Sequence, residues 1–211
     1  MTPEVLLIGY HQHTALSRAG RLLVPIEEAT VHLVTSPYGL TDFASRQFPR
    51  TTICDVRDPV QLRTACEWAL QRHPITRVLA VHENVVLLAA ELRSQYGLVG
   101  MSAETAALFR DKPLMKERVR EFHAAQVPDF ANLDSAEGLQ QLDWTSGRKV
   151  IKSRLGLGAC GVQVVDSLDA ALRVCESLNL QNGHYEIEEF IDGDIYHCDA
   201  VMQDGTVRFE S

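Results

Sequence analysis

The chain has 211 residues, enough for one large or two small domains with a real core. Its 45% hydrophobic and 23% charged residues are ordinary for a globular protein, and a net charge of −8 excludes a general nucleic-acid or anionic-membrane surface. With no run of about 18 apolar residues and no charged-then-apolar leader, a protein that neither spans a membrane nor is exported is expected.

The first part alternates strands and helices. Residues 5–10 are a continuous apolar strand, 13–23 are expected to be helical, and 30–35 form a second strand closed by Ser36-Pro37. A short third strand at 51–54 precedes Asp58-Pro59, an N-cap followed by an N1 proline. The helix they open carries Val60, Leu62, Ala65, Cys66, Ala69 and Leu70, mostly on one stripe. A fourth strand at 77–81, a helix at 83–96 and a short fifth strand at 97–99 complete the unit. This alternation predicts a doubly wound parallel sheet in a domain spanning 1–101. Ligands of such sheets lie off the carboxyl ends of the strands, which selects His11, Ser36, Pro37, His82 and Glu83, with His13 close by.

A second unit, 102–211, has a different grammar and reads as α+β. Ser102 caps a helix to residue 109, a second helix runs from 112 to 125, and Val127-Pro128-Asp129 ends it. Ser135 is expected to cap a helix through 142, and Ser167 another through 178. Asn182-Gly183 is a turn. Strands at 185–191, 196–202 and 206–210 close the chain, the last two joined by Asp204-Gly205 as a type I′ hairpin. An unpaired edge at this closing strand favours self-association.

Between these elements, Val150-Ile151-Lys152 leads into Gly156-x-Gly158-x-x-Gly161, and Val162, Val164 and Val165 follow at once. The glycines match a dinucleotide fingerprint in spacing, but that fingerprint needs a helix after them, and a β-branched run makes a strand instead. The segment is therefore a hairpin with a glycine tip. Such a tip is either an ordinary surface turn or a flap that lays backbone N–H groups against phosphate oxygens, with the lysine adding a point charge. Kinases also combine a glycine hairpin with a lysine, but theirs follows the glycines, and neither His-Arg-Asp nor Asp-Phe-Gly occurs here. The five cysteines (54, 66, 160, 175, 198) are odd in number and lack Cys-x-x-Cys spacing, which predicts reduced thiols in a cytoplasm. Cys160 lies inside the glycine tip.

Taken in order, Val81-His-Glu83, Gly100-Met-Ser102, Arg110-Asp111-Lys112, Val127-Pro128, Val150-Ile-Lys152 with its glycine loop, Glu188-Glu189-Phe190-Ile191-Asp192-Gly193 and Tyr196-His197-x-Asp199 resemble the ATP-grasp superfamily of carboxylate–amine or carboxylate–thiol ligases. The resemblance implies ATP and Mg2+ as cofactors. Lys112 and Lys152 match the lysines that meet the phosphates, and Gly156, Gly158 and Gly161 match the flap over them. Ser153 and Ala159 stand where relatives often have proline and serine. The run Glu188, Glu189, Phe190, Ile191 matches the linker that reads adenine through its backbone; its glutamates alternatively form a solvated, alternating strand edge. Asp194 or Asp199 takes the ribose, with His197 a third candidate. Glu83 matches a contact to the amine-bearing substrate or is a helix-start glutamate favoured by the helix dipole.

The family reaction implied is attack of a carboxylate on the γ-phosphate, giving an acylphosphate that an amine opens. Amino acids are the expected substrates. The family's metal ligands, an acidic residue and a Glu-x-Asn pair, find no match before Ser211. The chain is therefore expected to be part of a longer ligase, inactive alone; a non-catalytic ATP-binding module is the alternative.

Overall fold

Five consecutive buried residues, Val5 to Gly9, form the middle of a parallel sheet in the computed structural model, which describes residues 2–10, 17–18, 21–22, 28–39, 48, 50–180 and 183–211. The chain divides into two units, Met1–Ala125 and Gln126–Ser211. The two helices after Ser102 pack, one on the next, against the helix before it.

In the first unit, β1 (Glu4–Gly9) is followed along the chain by two short strands that pair antiparallel with each other, β2 (Ser17–Arg18) and β3 (Arg21–Leu22), and then by β4 (Thr30–Thr35). Of the helix expected at 13–23, the described residues Ser17–Arg18 and Arg21–Leu22 pair as strands, and the rest lies outside the described residues. His11 and His13 lie outside the described residues. With β5 (Arg50–Ile53) and β6 (Ile75–Ala80), the main sheet has the order β5-β4-β1-β6, every pair parallel. Strand order reverses at β1, so the crevice of this sheet opens where β1 and β6 end.

Helix α1 (Pro59–Arg72) starts as its sequence dictates: Asp58 accepts from the N–H groups of Val60 and Gln61, and Pro59 needs no partner. Its buried stripe of Leu62, Ala65, Cys66, Ala69 and Leu70 joins Leu6, Ile8, Val34 and Val78 in the core. A 3₁₀ turn at Glu83–Val85 leads into α2 (Val86–Tyr96). The strand expected at 97–99 does not form. Gly97 is left-handed (φ 65°) and Leu98 N–H returns to Arg93 C=O, so these residues close the helix instead. Arg93 donates to Val78 C=O and Met101 C=O, tying the chain beyond the cap to β6. Helices α3 (Ala103–Arg110) and α4 (Lys112–Glu121) are capped by Ser102 and Asp111.

The second unit is an antiparallel sheet of β7 (Phe130–Asn132), β8 (Lys149–Ser153), β9 (Gln163–Val165) and β10 (Tyr185–Glu189), in the order β7-β10-β8-β9. Helix α5 (Leu168–Glu176), capped by Ser167, completes a core of Leu133, Leu139, Ile151, Val165, Ala171, Cys175 and Ile187. β7 has no counterpart in the sequence reading; three residues are too few to show a period. The helix expected at 135–142 is a five-residue 3₁₀ turn, Glu137–Gln141, with Gly138 inside it. The chain ends in a separate two-stranded sheet, β11 (Ala200–Gln203) and β12 (Thr206–Glu210), shorter at its start than the strand expected from 196. Its turn has Asp204 and Gly205 both at positive φ (50° and 74°), as type I′ requires. All five cysteines are free thiols, and among the described residues no helix is long and apolar enough to cross a membrane.

Candidate functional site

Successive side chains of a strand point to opposite faces, and β8 uses both. Ile151 points into the core and pairs with Ile187; Val150 and Lys152 point to the other face. Glu186 lies directly opposite Lys152, and Glu188 opposite Val150, so both carboxylates share that face with the lysine. Lys152 Nζ donates to Glu188 Oε1 and sits 3.7 Å from Glu186 Oε1. The Glu186 side chain is 0% exposed, against 19% for Lys152 and 11% for Glu188. Carboxylates this deep persist ionised only beside a counter-charge. Of the two glutamates read as a solvated edge, Glu188 is half-buried on an inner strand, with β7 on one side and β8 on the other, and Glu189 at its end is exposed.

The β8–β9 connection is a series of tight turns. Gly156 N–H goes to Ser153 C=O, Cys160 N–H to Leu157 C=O and Val162 N–H to Ala159 C=O. Gly158 (φ 55°), Ala159 (φ 56°) and Gly161 (φ 73°) are left-handed, which explains two of the three glycines. At Gly156 the reason is space: a Cβ there would lie 3.1 Å from Ser153 Cβ and 3.4 Å from its carbonyl oxygen. Among the described residues the amides of Leu157, Gly158, Ala159 and Gly161 make no hydrogen bond within the chain, so the tip keeps four donors for an anion.

Beyond the ladder, Glu189 N–H donates to Asp129 C=O and Phe190 N–H to Arg148 C=O. The Arg148 guanidinium covers the Phe190 ring at 4.0 Å from its centroid. These contacts hold the 189–190 backbone extended up to Ile191, which is 62% exposed. Asp194, His197 and Asp199 are exposed, and among the described residues the two aspartates make no side-chain hydrogen bond or ion pair. Asp199 exchanges backbone hydrogen bonds with Ser211 at the open end of the last hairpin.

In the first unit, Glu83 and His82 follow β6 at the reversal of strand order. His82 stacks on Tyr10, the residue after β1, with centroids 4.7 Å apart, and its Nδ1 accepts from Asn84 N–H. Glu83 accepts from the guanidinium of Arg110, the last residue of α3. Lys112 occupies the first position of α4 and is half-buried, while Lys116, one turn on, is buried.

No role is legible in the sequence for three of these residues, Glu186, Arg110 and Lys116. Glu186 has only a pairing signal: it alternates with Glu188 on a strand, and Lys152 is the nearby cation of matching period. Arg110 and Lys116 belong to the segment that carries the resemblance, but their burial and the Glu83 partner of Arg110 depend on surfaces remote in sequence.

No protein-family model matches the chain. An L-arginine-specific L-amino acid ligase of Bacillus subtilis is 27% identical over a match covering 74% of this chain and 40% of that protein. The crystal structure of an L-amino acid ligase from Bacillus licheniformis superposes with a TM-score of 0.67 at 16% identity, over 90% of this chain and 45% of that one. The biotin carboxylase domain of Hydrogenobacter thermophilus 2-oxoglutarate carboxylase, a dimer in complex with MgADP, ADP and bicarbonate, gives 0.66 at 17% identity, over 89% and 44%. The chain spans less than half the length of each.

Proposed function

As the chain has the fold of the ATP-grasp superfamily, we propose that it forms the nucleotide-binding part of an ATP-dependent ligase joining a carboxylate to an amine through an acylphosphate. The observation that carries this reading is Lys152, held on a sheet face by two carboxylates at the root of a glycine hairpin with four uncommitted amides. A polyanion is the partner such a lysine and such a loop share.

In this reading Lys152 meets the α- and β-phosphates, and the tip 156–161 covers the β- and γ-phosphates. Lys112 adds charge from the start of α4. The extended backbone at Glu188–Ile191 reads adenine by a C=O and an N–H, and Asp194 or Asp199 holds the ribose. Residues 102–211 then form one ATP-grasp domain, and Glu83 faces the amine-bearing substrate with Arg110 fixing its carboxylate. Mg2+ accompanies the triphosphate and supplies charge neutralisation at the transferred phosphoryl group. Amino acids are the proposed substrates, since two of the similar proteins are L-amino acid ligases. Five free thiols suit a cytoplasmic protein, and self-association through sheet edges is part of the proposal.

The test is calorimetric titration with ATP and ADP, with and without Mg2+, beside Lys152→Ala and the compensated Lys152→Ala/Glu188→Gln. Binding by the parent chain that is lost in both variants supports the reading. Equal affinity in a folded Lys152→Ala/Glu188→Gln protein refutes it.

A further inference from the structure

The parallel sheet of the first unit has a second cluster of chemistry-bearing side chains, at the edge opposite to Tyr10, His82 and Glu83. Glu4 begins β1, His32 lies near the start of β4, Arg50 begins β5, and His73 caps the C-terminus of α1 just before β6. Glu4, His32 and His73 each bring one ligand-type atom to within 4.8 Å of the other two. Glu4 Oε2 is 2.7 Å from His32 Nε2, and the rings of His32 and His73 are 4.2 Å apart between centroids. Trp68 stands edge-on to His73 at 6.1 Å and carries Arg72 on its face, which walls the cluster on the helix side.

Without a metal, one carboxylate oxygen closes the cluster, since Glu4 Oε2 accepts from Arg50 NH1 and from a protonated His32 Nε2. His32 Nε2 faces Glu4 Oε2 at 2.7 Å and Arg50 NH1 at 3.1 Å. A cation seated between Nε2 and the carboxylate takes the place of that proton, and it gains the second imidazole. Arg50 is the flexible and exposed member, and it also contacts Glu4 at 3.1 Å, so it leaves to water at small cost.

We propose that Glu4, His32 and His73 form a Zn2+-type site that staples the starts of β1 and β4 to the end of α1. Two imidazoles and one carboxylate are a common three-ligand set for Zn2+, with water as the fourth ligand. Bond lengths of about 2.0–2.2 Å place ligand atoms about 3.4 Å apart in a tetrahedron. The site therefore needs the 2.7 Å contact to open and the longest separation to close by about 1 Å or more, a side-chain adjustment on a fixed backbone. Because this edge is remote from the strands' carboxyl ends, the role is structural, independent of the nucleotide reading.

The experiment titrates the full chain with Zn2+ against a chelator of known affinity, and with Co2+ as a spectroscopic probe. His73→Asn and Glu4→Gln are the test variants, and His184→Asn, on an exposed histidine of the other unit, is the control. The parent and the control are expected to bind one metal ion per chain, with a tetrahedral Co2+ spectrum and a higher melting temperature. Affinity falls by about 10-fold or more in His73→Asn and Glu4→Gln, since even outer-shell losses cost that much at such sites. Absence of binding by the folded parent overturns the proposal, as does equal binding by a folded His73→Asn variant.

Discussion

Lys152 and Glu186 face each other across β8 and β10, Nζ to Oε1 at 3.7 Å, and Glu188 on the same face accepts directly from the lysine. One cation thereby serves two carboxylates that are nearly out of water. Removing it is expected to be far worse than removing the whole group, because a buried charge without its partner keeps its full desolvation cost. Lys152→Met should cost about 3–5 kcal/mol of unfolding free energy, and Lys152→Met/Glu186→Gln/Glu188→Gln should recover most of it. Urea unfolding of the parent, the single and the triple variant checks the loss and its recovery.

Cys160 is exposed at the tip of the glycine hairpin, and Cys198 is exposed far from it in sequence, whereas Cys66 and Cys175 are buried. In the native protein a thiol reagent should label Cys160 and Cys198 fastest. Saturating ATP is expected to slow labelling of Cys160 and leave Cys198 unchanged, because a flap that closes on phosphates covers its own tip. Peptide mapping after timed labelling reads the two sites separately, and equal rates with and without ATP would remove the flap role.

Gly158 and Gly161 are left-handed with open space around the missing side chain. Alanine there meets no neighbour but bears a conformational cost of about 1–2 kcal/mol per residue. Gly158→Ala should lower the melting temperature by only about 2–8 °C, leaving the chain folded, and weaken ATP binding. Calorimetry beside a thermal melt separates the two effects.

Arg110 is 5% exposed in its side chain and Glu83 53%, so the two ends of their ion pair are unequal. Glu83→Gln is expected to change stability by no more than about 1 kcal/mol, as for other exposed pairs. Arg110→Ala, which also empties packed volume, should cost more. If Glu83 contacts the amine substrate, Glu83→Gln weakens binding of that substrate while ATP affinity and stability stay close to the parent's. Loss of all three together would make the residue purely structural.

Burial in the core of the first unit pushes the Cys66 thiol up to about 12, mainly through desolvation. A folded-state value above the unfolded one of about 8.5 means that the native state holds the proton more tightly. The associated stability is complete below about pH 8.5 and is lost progressively as pH rises toward 12. Cys66→Ala, less stable at neutral pH because of the cavity, should show the shallower decline at alkaline pH. Chemical denaturation of both proteins from pH 8 to pH 11 compares the slopes.

The features legible in the chain were those governed by local chemistry. Asp58-Pro59, Ser102, Asp111 and Ser167 start helices because short polar side chains satisfy nearby N–H groups, and that holds in almost any surroundings. The hairpin 149–165 and its left-handed glycines follow from β-branched strands flanking residues that tolerate positive φ. Where a local signal competed with a contact, the sequence misled. Gly97–Val99 resembles a strand but closes a helix, and Ser17–Arg18 and Arg21–Leu22 pair as strands where a helix was expected.

By itself the sequence determined most helix starts, the parallel character of the first sheet and the position of Lys152 at the root of the glycine loop. Tertiary structure decided which charges meet. Glu186 lies opposite Lys152 only through the register of β8 and β10, Arg110 reaches Glu83 only because α3 folds back, and Glu4, His32 and His73 converge only at the start of the parallel strands. The physical reason is common to all three. Capping and turn preferences act over three or four residues, whereas the energy of a buried charge depends on partners brought from 27 to 36 positions away by the fold.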